Sequence, residues 1–309
     1  MTGQVEAALW QLAREIEPTP TQKAGAQGSH NYLRGLLNTG QMAQRITNSY
    51  LSGSYARDTA IRPIDDVDVV FEIDPTAWGG GSILLAPLPP PERVLESFAN
   101  AIRYRYPVSS VFGQRRSVRL SLYHLDIDVV PAVPDRQQLW LVWIPDRDSG
   151  DWIRSAPRKH QAVAAEVNAL RQGRFKPLAK LLKYWNSNLP ETIRAKSFMV
   201  ETLATHLFRS VPFESLESGL LFFWDFVATR VGGPGRYAWR DQYGMSVGLL
   251  GISVPDAAGT GSNTASGFTI NQFSAFSGKA RISRDRLIAA QSARSRETLQ
   301  AHIESAFRA

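Results

Sequence analysis

The 309-residue chain carries 35 Lys+Arg against 28 Asp+Glu, no cysteine and 43% hydrophobic residues, a composition that supports one large or two modest cores and excludes a disordered tail protein. Without cysteine there is no disulfide framework, thiolate zinc site or cysteine nucleophile, no apolar run approaches the roughly 20 residues of a membrane span, and Met1 to Pro20 lacks the pattern of a secretion signal, so a cytoplasmic enzyme is expected. The net charge of +7 is uneven: residues 1–150 hold 14 Lys+Arg against 16 Asp+Glu, residues 151–309 hold 21 against 12, and the basic excess predicts an anionic partner.

Val5, Leu9, Leu12, Ala13 and Ile16 recur at helical spacing, and Pro18 and Pro20 end that first helix. A second helix is expected over Gln22 to Ile46. Ser49 to Ile73 then reads as strand, Gly53-Ser54 turn, irregular stretch and strand, with strict alternation in Asp66-Val67-Asp68-Val69. Gly79 to Pro91 reads as a Gly/Pro loop, Glu92 to Tyr104 as a helix, and Val118 to Val130 as one further strand, with Arg115-Arg116 at a hairpin tip. Beyond residue 150 the pattern turns helical: Arg158 to Gln172, Phe175 to Trp185, Lys196 to Phe208, Ser215 to Val231 and a closing helix from Arg284 to Phe307, with a polar loop over Val254 to Ser266. The expectation is an α+β, two-lobed molecule: a mixed-sheet lobe over 1–150, a helical lobe over 151–309, and an active-site cleft between.

In a strand alternate side chains share a face, so Asp66 and Asp68 point one way while Val67 and Val69 enter the core. Two ionised carboxylates side by side repel, and hard oxygen ligands in this arrangement suit Mg²⁺ completed by water and substrate phosphate. The Gly53-Ser54 turn offers close backbone approach, N–H groups and a hydroxyl, which suits a triphosphate. His124-Leu125-Asp126-Ile127-Asp128-Val129-Val130-Pro131 repeats the alternation, placing Asp126 and Asp128 on one face. If that strand lies beside the first, three or four carboxylates converge as a two-metal site requires. Lys176, Lys180 and Lys183 follow i, i+4, i+7 and form a basic stripe on a helix whose other face is apolar. The histidines at 30, 124, 160, 206 and 302 show no metal-ligand spacing, and Trp140, Trp143 and Trp152 are expected in the core. Arg57 is read either as a phosphate ligand or as the partner of Asp58 or Asp65, and Phe198 either as a stacking ring or as core.

Gly53-Ser54 through Asp66-Val67-Asp68, with Asp128 in Asp-Val-Val-Pro-Ala, resembles the DNA-polymerase-β-like nucleotidyltransferases, and within them the bacterial cGAS/DncV-like group related to oligoadenylate synthetases. Trp152 to Gln161 with Pro157 and His160, Leu181-Leu182-Lys183-Tyr184-Trp185 and Lys196-Ser197-Phe198 follow the order of that family's segments, over about residues 45–205. The resemblance implies Asp66, Asp68 and Asp128 as catalytic metal ligands for two Mg²⁺ ions, with Mn²⁺ as a substitute. It implies Gly53 and Ser54 on the triphosphate, Lys183 on phosphate, and Ser197 and Phe198 on phosphate and base, with Phe lacking the hydroxyl of the family's usual Tyr; Lys180 joins Lys183 as a phosphate contact through the basic stripe. Asp126 is a supporting residue. The activity implied is joining of NTPs into a cyclic dinucleotide or small cyclic oligonucleotide with release of pyrophosphate, a second messenger in antiphage signalling read by a separate effector, with an RNA or peptide activator. A nucleotidyltransferase that modifies tRNA or protein is the alternative reading. A non-catalytic RNA-binding copy is the third, and the intact carboxylates and Gly-Ser turn speak against it.

Overall fold

The computed structural model describes residues 2–78, 88–231, 239–240, 245–248 and 251–308. The expected Gly/Pro loop at 79–91 falls largely outside the described residues. The chain forms two compact units, one of residues 18–162 and one of residues 1–17 with 163–309. The expected boundary at 150 lies instead in the turn of a hairpin between β6 (Val142–Asp146) and β7 (Asp151–Ser155), and the N-terminal helix belongs to the C-terminal unit. Counted by these units, 18–162 holds 16 Lys+Arg against 14 Asp+Glu and the remainder 19 against 14. The acidic-front, basic-back contrast disappears; both units are basic.

In the unit of residues 18–162, α2 (Pro20–Thr39) starts on a Thr19 capping box, in which Thr19 and Gln22 exchange side-chain to backbone bonds. It stops at Gly40, short of the expected Ile46, because Ile46 already pairs with Ile73. The sheet runs in the order β1 (Ile46–Ser52), β2 (Asp66–Ile73), β5 (Asp126–Pro134), β4 (Val118–Ser121), β3 (Ser110–Gly113). Only β2 and β5 are parallel; the other neighbours, including β5 with β6, are antiparallel. The single strand expected over 118–130 is two, folded at Leu122 to Leu125, where Leu122 N–H donates to the Leu125 carbonyl at 3.0 Å. Apolar alternation runs through that turn without Gly or Pro, which hides it. Arg115 and Arg116 do occupy the tip between β3 and β4, where both bind the buried Asp146 and hold its carboxyl down at about 2, Arg115 contributing most.

One sheet face carries Val67, Val69, Phe71, Leu120, Ile127 and Val129, buried against Leu33 and Leu37 of α2 and Val94, Leu95, Phe98 and Ile102 of α4 (Pro91–Arg105). That burial drives the unit's folding. The carboxylates stand on the opposite face, above a small apolar patch of Val70, Ala132 and Val142. Trp152 is buried, whereas Trp140 and Trp143 are half-buried, Trp140 under the Lys159 ammonium at 3.7 Å.

The second unit packs α1 (Thr2–Glu15), the C-terminal part of α5 (Pro157–Leu170), α6 (Phe175–Ser187), α7 (Ser197–Ser210), α8 (Leu216–Val231), α9 (Ile270–Gln291) and α10 (Arg296–Phe307). The closing helix expected from Arg284 is two helices broken at Ser292, with Ser295 capping the last through Thr298 N–H. The unit also holds a small antiparallel sheet of β8 (Trp239–Arg240), β9 (Ser246–Gly248) and β10 (Gly251–Ser253), too short to show in the sequence pattern. Its core centres on Trp185, which meets Phe276 at 5.0 Å and Trp224 at 5.9 Å between centroids and gives its indole N–H to Ser283 Oγ at 2.8 Å. Glu6 of α1 accepts the backbone N–H groups of Leu216 and Glu217 at 3.0 Å each, a carboxylate set on the N-terminus of α8.

Candidate active site

Parallel pairing of β2 with β5 sets Asp66 opposite Asp126 and Asp68 opposite Asp128. Because side chains alternate, all four carboxylates project from the face away from the main core, in two rows across adjacent strands. The strands stay in register because Val67, Val69 and Phe71 on one, and Ile127 and Val129 on the other, must share the buried face; a slip of one residue would exchange the carboxylates for the core. Asp126 N–H also donates to the Asp65 carbonyl at 2.9 Å, extending the pairing to the start of both rows.

The neighbouring strands contribute to the second row. Ser52 of β1 pairs with Asp68, and Arg119 of β4 pairs with Asp128. Immediately after Ser52 the chain turns at Gly53, φ 67°, into one helical turn, α3 (Gly53–Ala56). A Cβ at Gly53 would overlap the Asp68 carboxylate, so both the left-handed backbone and the close approach demand glycine. The turn is fixed from three sides: Thr59 N–H donates to the Ser54 carbonyl at 2.9 Å, Gln161 Nε2 to the Ala56 carbonyl at 3.2 Å, and the Tyr55 ring meets His30 edge-on at 5.8 Å. Ser54 is half-buried beside it.

Four carboxylates in two rows are short of positive charge. Burial, then the charges of Asp66 and Asp128, push the Asp68 carboxyl up to about 7, against the lesser opposing pull of Arg57 and Arg119. Arg57 is buried next to the turn, and its charge opposes the rise at Asp68. Arg119 makes direct contacts: Nε to Asp128 Oδ1 at 2.9 Å, Nη2 to Asp128 Oδ2 at 2.6 Å and Nη1 to Asp126 Oδ2 at 3.1 Å. These bonds, that to Asp128 foremost, hold its guanidinium proton more tightly than usual.

The donor set is all oxygen, carries more negative than positive charge and includes one carboxyl poised to exchange a proton, which fits a hard divalent cation better than any soft metal. Among the described residues, no three His, Cys, Asp or Glu side chains stand close enough together to hold a metal ion as they are. Asp128 is 6% exposed, with both oxygens on Arg119.

The other expected site residues lie in the helical unit. Lys180 and Lys183 are buried rather than displayed as a basic stripe: Lys180 Nζ meets Glu17 Oε2 at 2.7 Å, and Lys183 Nζ meets Glu201 Oε2 at 2.5 Å with both side chains almost wholly enclosed. Lys176 is half-buried, one turn nearer the start of α6. Ser197 is exposed at the first position of α7 and Phe198, 36% exposed, follows it, so Phe198 is not a core residue.

Farther along the carboxylate face, Glu72 is buried against Arg158 at 3.1 Å and Asn48 at 3.0 Å, and the Arg158 guanidinium lies 4.0 Å from the Tyr50 ring centroid. Burial, with the nearby Glu72 charge, raises the Tyr50 phenol to about 12. Arg119, Glu72 and Arg158 are absent from the sequence-based candidates. Recognition of the turn at Tyr123-His124 would have set Arg119 opposite Asp128.

Residues 3–168 match the family described as the Second Messenger Oligonucleotide or Dinucleotide Synthetase domain, SMODS. The chain is 31% identical over 279 residues to a cyclic AMP-AMP-AMP synthase of Acinetobacter sp., covering 86% of this chain and 73% of that one. It belongs to the SMODS family. The chain is therefore a nucleotidyltransferase of the bacterial cGAS/DncV-like group and a cyclic oligonucleotide synthase, a family of metal-dependent enzymes. The solved structure of Escherichia coli MS115-1 CdnC with ATP shares its fold at a TM-score of 0.73 and 21% identity over 98% of both chains. That of Bradyrhizobium diazoefficiens CdnG with GTP does so at 0.72 and 18%, over 99% of this chain and 98% of that one. The nucleotidyltransferase fold that the resemblance implies is the fold of these structures. No helix among the described residues is long and apolar enough to cross a membrane.

Proposed function

We propose that this SMODS chain joins ATP molecules into a small cyclic oligoadenylate, with Asp66, Asp68 and Asp128 holding two Mg²⁺ ions, for which Mn²⁺ substitutes. The observation that carries the reading is the pairing of Asp66 and Asp68 with Asp126 and Asp128 across two parallel strands, with the Gly53 backbone packed on Asp68. The adenine choice follows from the cyclic AMP-AMP-AMP synthase at 31% identity and a second of that name, from Escherichia coli, at 27%. In each round a ribose hydroxyl attacks an α-phosphorus, a P–O bond forms, and pyrophosphate leaves. Bound Mg²⁺ would lower the pKa of the attacking hydroxyl and neutralise charge on the leaving phosphates.

The chain's own part is positioning and charge. Gly53 and Ser54 present backbone N–H groups and a hydroxyl to the triphosphate, on a turn that Thr59 and Gln161 make rigid. Asp68, with its carboxyl near 7, gives up its proton when a cation binds. In the helical unit, Lys180, Lys183 and Ser197 are proposed on phosphate and Phe198 on a base, Phe198 and Ser197 being exposed for that purpose.

Product release to a separate effector in antiphage defence, in the cytoplasm, belongs to the same proposal. A protein activator is suggested by the E. coli MS115-1 CdnC structure with HORMA-deltaN, whose fold this chain shares. No observation favours tRNA or protein as the acceptor. The test is incubation with radiolabelled ATP, GTP, CTP and UTP and Mg²⁺, phosphatase digestion and mass spectrometry. A phosphatase-resistant adenylate ring is expected, lost in D66A and D68A with the circular dichroism spectrum unchanged; retained synthesis in either variant, or label appearing only in added tRNA or protein, refutes it.

A further inference from the structure

Arg119 reaches both carboxylates of β5. Antiparallel register puts it directly opposite Asp128, so the two side chains start about 5 Å apart on one face. Its fork takes Asp128 by both oxygens, at 2.9 and 2.6 Å, the geometry in which arginine binds a carboxylate most tightly. The carboxylate oxygens a divalent cation would use are thus engaged. Asp68, directly beside Asp128 in the parallel register, is the carboxyl that burial and the Asp66 and Asp128 charges push up against the lesser pull of Arg57 and Arg119.

Arg119 has somewhere to stay if Asp128 leaves it. Nη1 keeps Asp126 at 3.1 Å. Gln114, in the amide orientation that lets its Nε2 donate to Ser117 Oγ at 2.8 Å, offers Oε1 to Arg119 Nε at 2.8 Å and to Nη2 at 3.2 Å. These are the same two donors that now hold Asp128. Release of Asp128 would leave no guanidinium donor of that pair unsatisfied, which is the usual obstacle to opening a buried ion pair.

Resting on the metal-site reading above, we propose that Arg119 is a positioning residue that holds Asp128 out of the metal-ligand set in the nucleotide-free protein, and that Asp126 and Gln114 retain Arg119 when Asp128 is released. Asp66 and Asp68 then form the metal site of the resting protein, and the third ligand is recruited only when a triphosphate brings further cation charge. The arrangement gives Asp126 a purpose that its neighbour's catalytic assignment leaves open.

Mn²⁺ binding to the nucleotide-free protein, read from the electron paramagnetic resonance signal of free Mn²⁺, separates these roles. Asp128→Asn in the native background is expected to change affinity less than about twofold, since Asp128 is held elsewhere. Arg119→Met is expected to bind Mn²⁺ about tenfold more tightly, and Arg119→Met/Asp128→Asn to lose that gain. Arg119→Lys, which keeps the charge but not the fork, falls between and serves if the Met variant does not fold. The proposal is overturned if Arg119→Met binds no more tightly, or if Asp128→Asn weakens binding equally in both backgrounds, the result expected of simple charge removal. Asp68→Asn serves as the control for the underlying reading: if it leaves Mn²⁺ binding intact, the carboxylates are not the metal site at all; if it abolishes binding while the Arg119 variants behave as native, only the role of Arg119 fails.

Discussion

The helical unit and the carboxylate rows of the sheet treat buried charge in opposite ways. In the helical unit each buried cation of α6 meets a carboxylate, Lys180 with Glu17 and Lys183 with Glu201, and the buried Asp256 is satisfied by Ala258 and Thr260 N–H and the Thr260 hydroxyl. On the sheet face of the other unit four carboxylates crowd together, Arg119 engages two of them, and burial, with the charges of Asp66 and Asp128, raises the Asp68 carboxyl from 3.8 to about 7. Matched charges hold a fold in one arrangement; an unmatched cluster stores repulsion that a ligand relieves.

That contrast is sharpest at Lys183 and Glu201. Replacing either alone strands an enclosed charge, so K183M and E201Q are each expected to lose about 3–5 kcal/mol of stability by urea denaturation, with K183M/E201L recovering much of it. A double variant as unstable as the single ones would show the pair is not a closed unit.

At Asp68 the sign is the reverse. Its folded-state value lies above its unfolded one, so the folded metal-free protein binds the extra proton and stability falls as pH rises from about 4 to 7, then levels. D68N is expected to remove that slope. Cation binding must displace the proton, so Mg²⁺ affinity should rise by up to about tenfold per pH unit below 7 and flatten above it; titration calorimetry in buffers of different ionisation enthalpy reads the proton released. A pH-independent affinity would show Asp68 already ionised.

Gly53 gives the smallest effect on folding. G53A costs about 1 kcal/mol from its left-handed backbone, yet its Cβ would displace the Asp68 carboxylate, so kcat/KM should fall well beyond what the stability loss explains. Equal small losses in both would remove the turn from the site.

The carboxylates were legible because their alternation is local: each strand declares its own faces over five or six residues. What is set by pairing was not. Arg119 acquires its meaning from the turn at Leu122 to Leu125, and Lys180 from a glutamate 163 positions earlier, which no periodicity connects. Reading Lys176, Lys180 and Lys183 as one basic stripe for phosphate followed from helical spacing alone, whereas Lys180 and Lys183 answer acidic residues on other elements. The same blindness produced the boundary at 150 and the apparent charge contrast between the halves.

One arrangement bears on how the molecule is made. Because residues 1–17 complete the unit that otherwise spans 163–309, α1 leaves the ribosome well before the helices it packs against and waits for them, while residues 18–162 have every strand they need much sooner. Glu6 has no α8 to cap and Glu17 no Lys180 to neutralise during that interval. Removal of residues 1–17 is therefore, in energetic terms, damage to the unit built from residues 163–309.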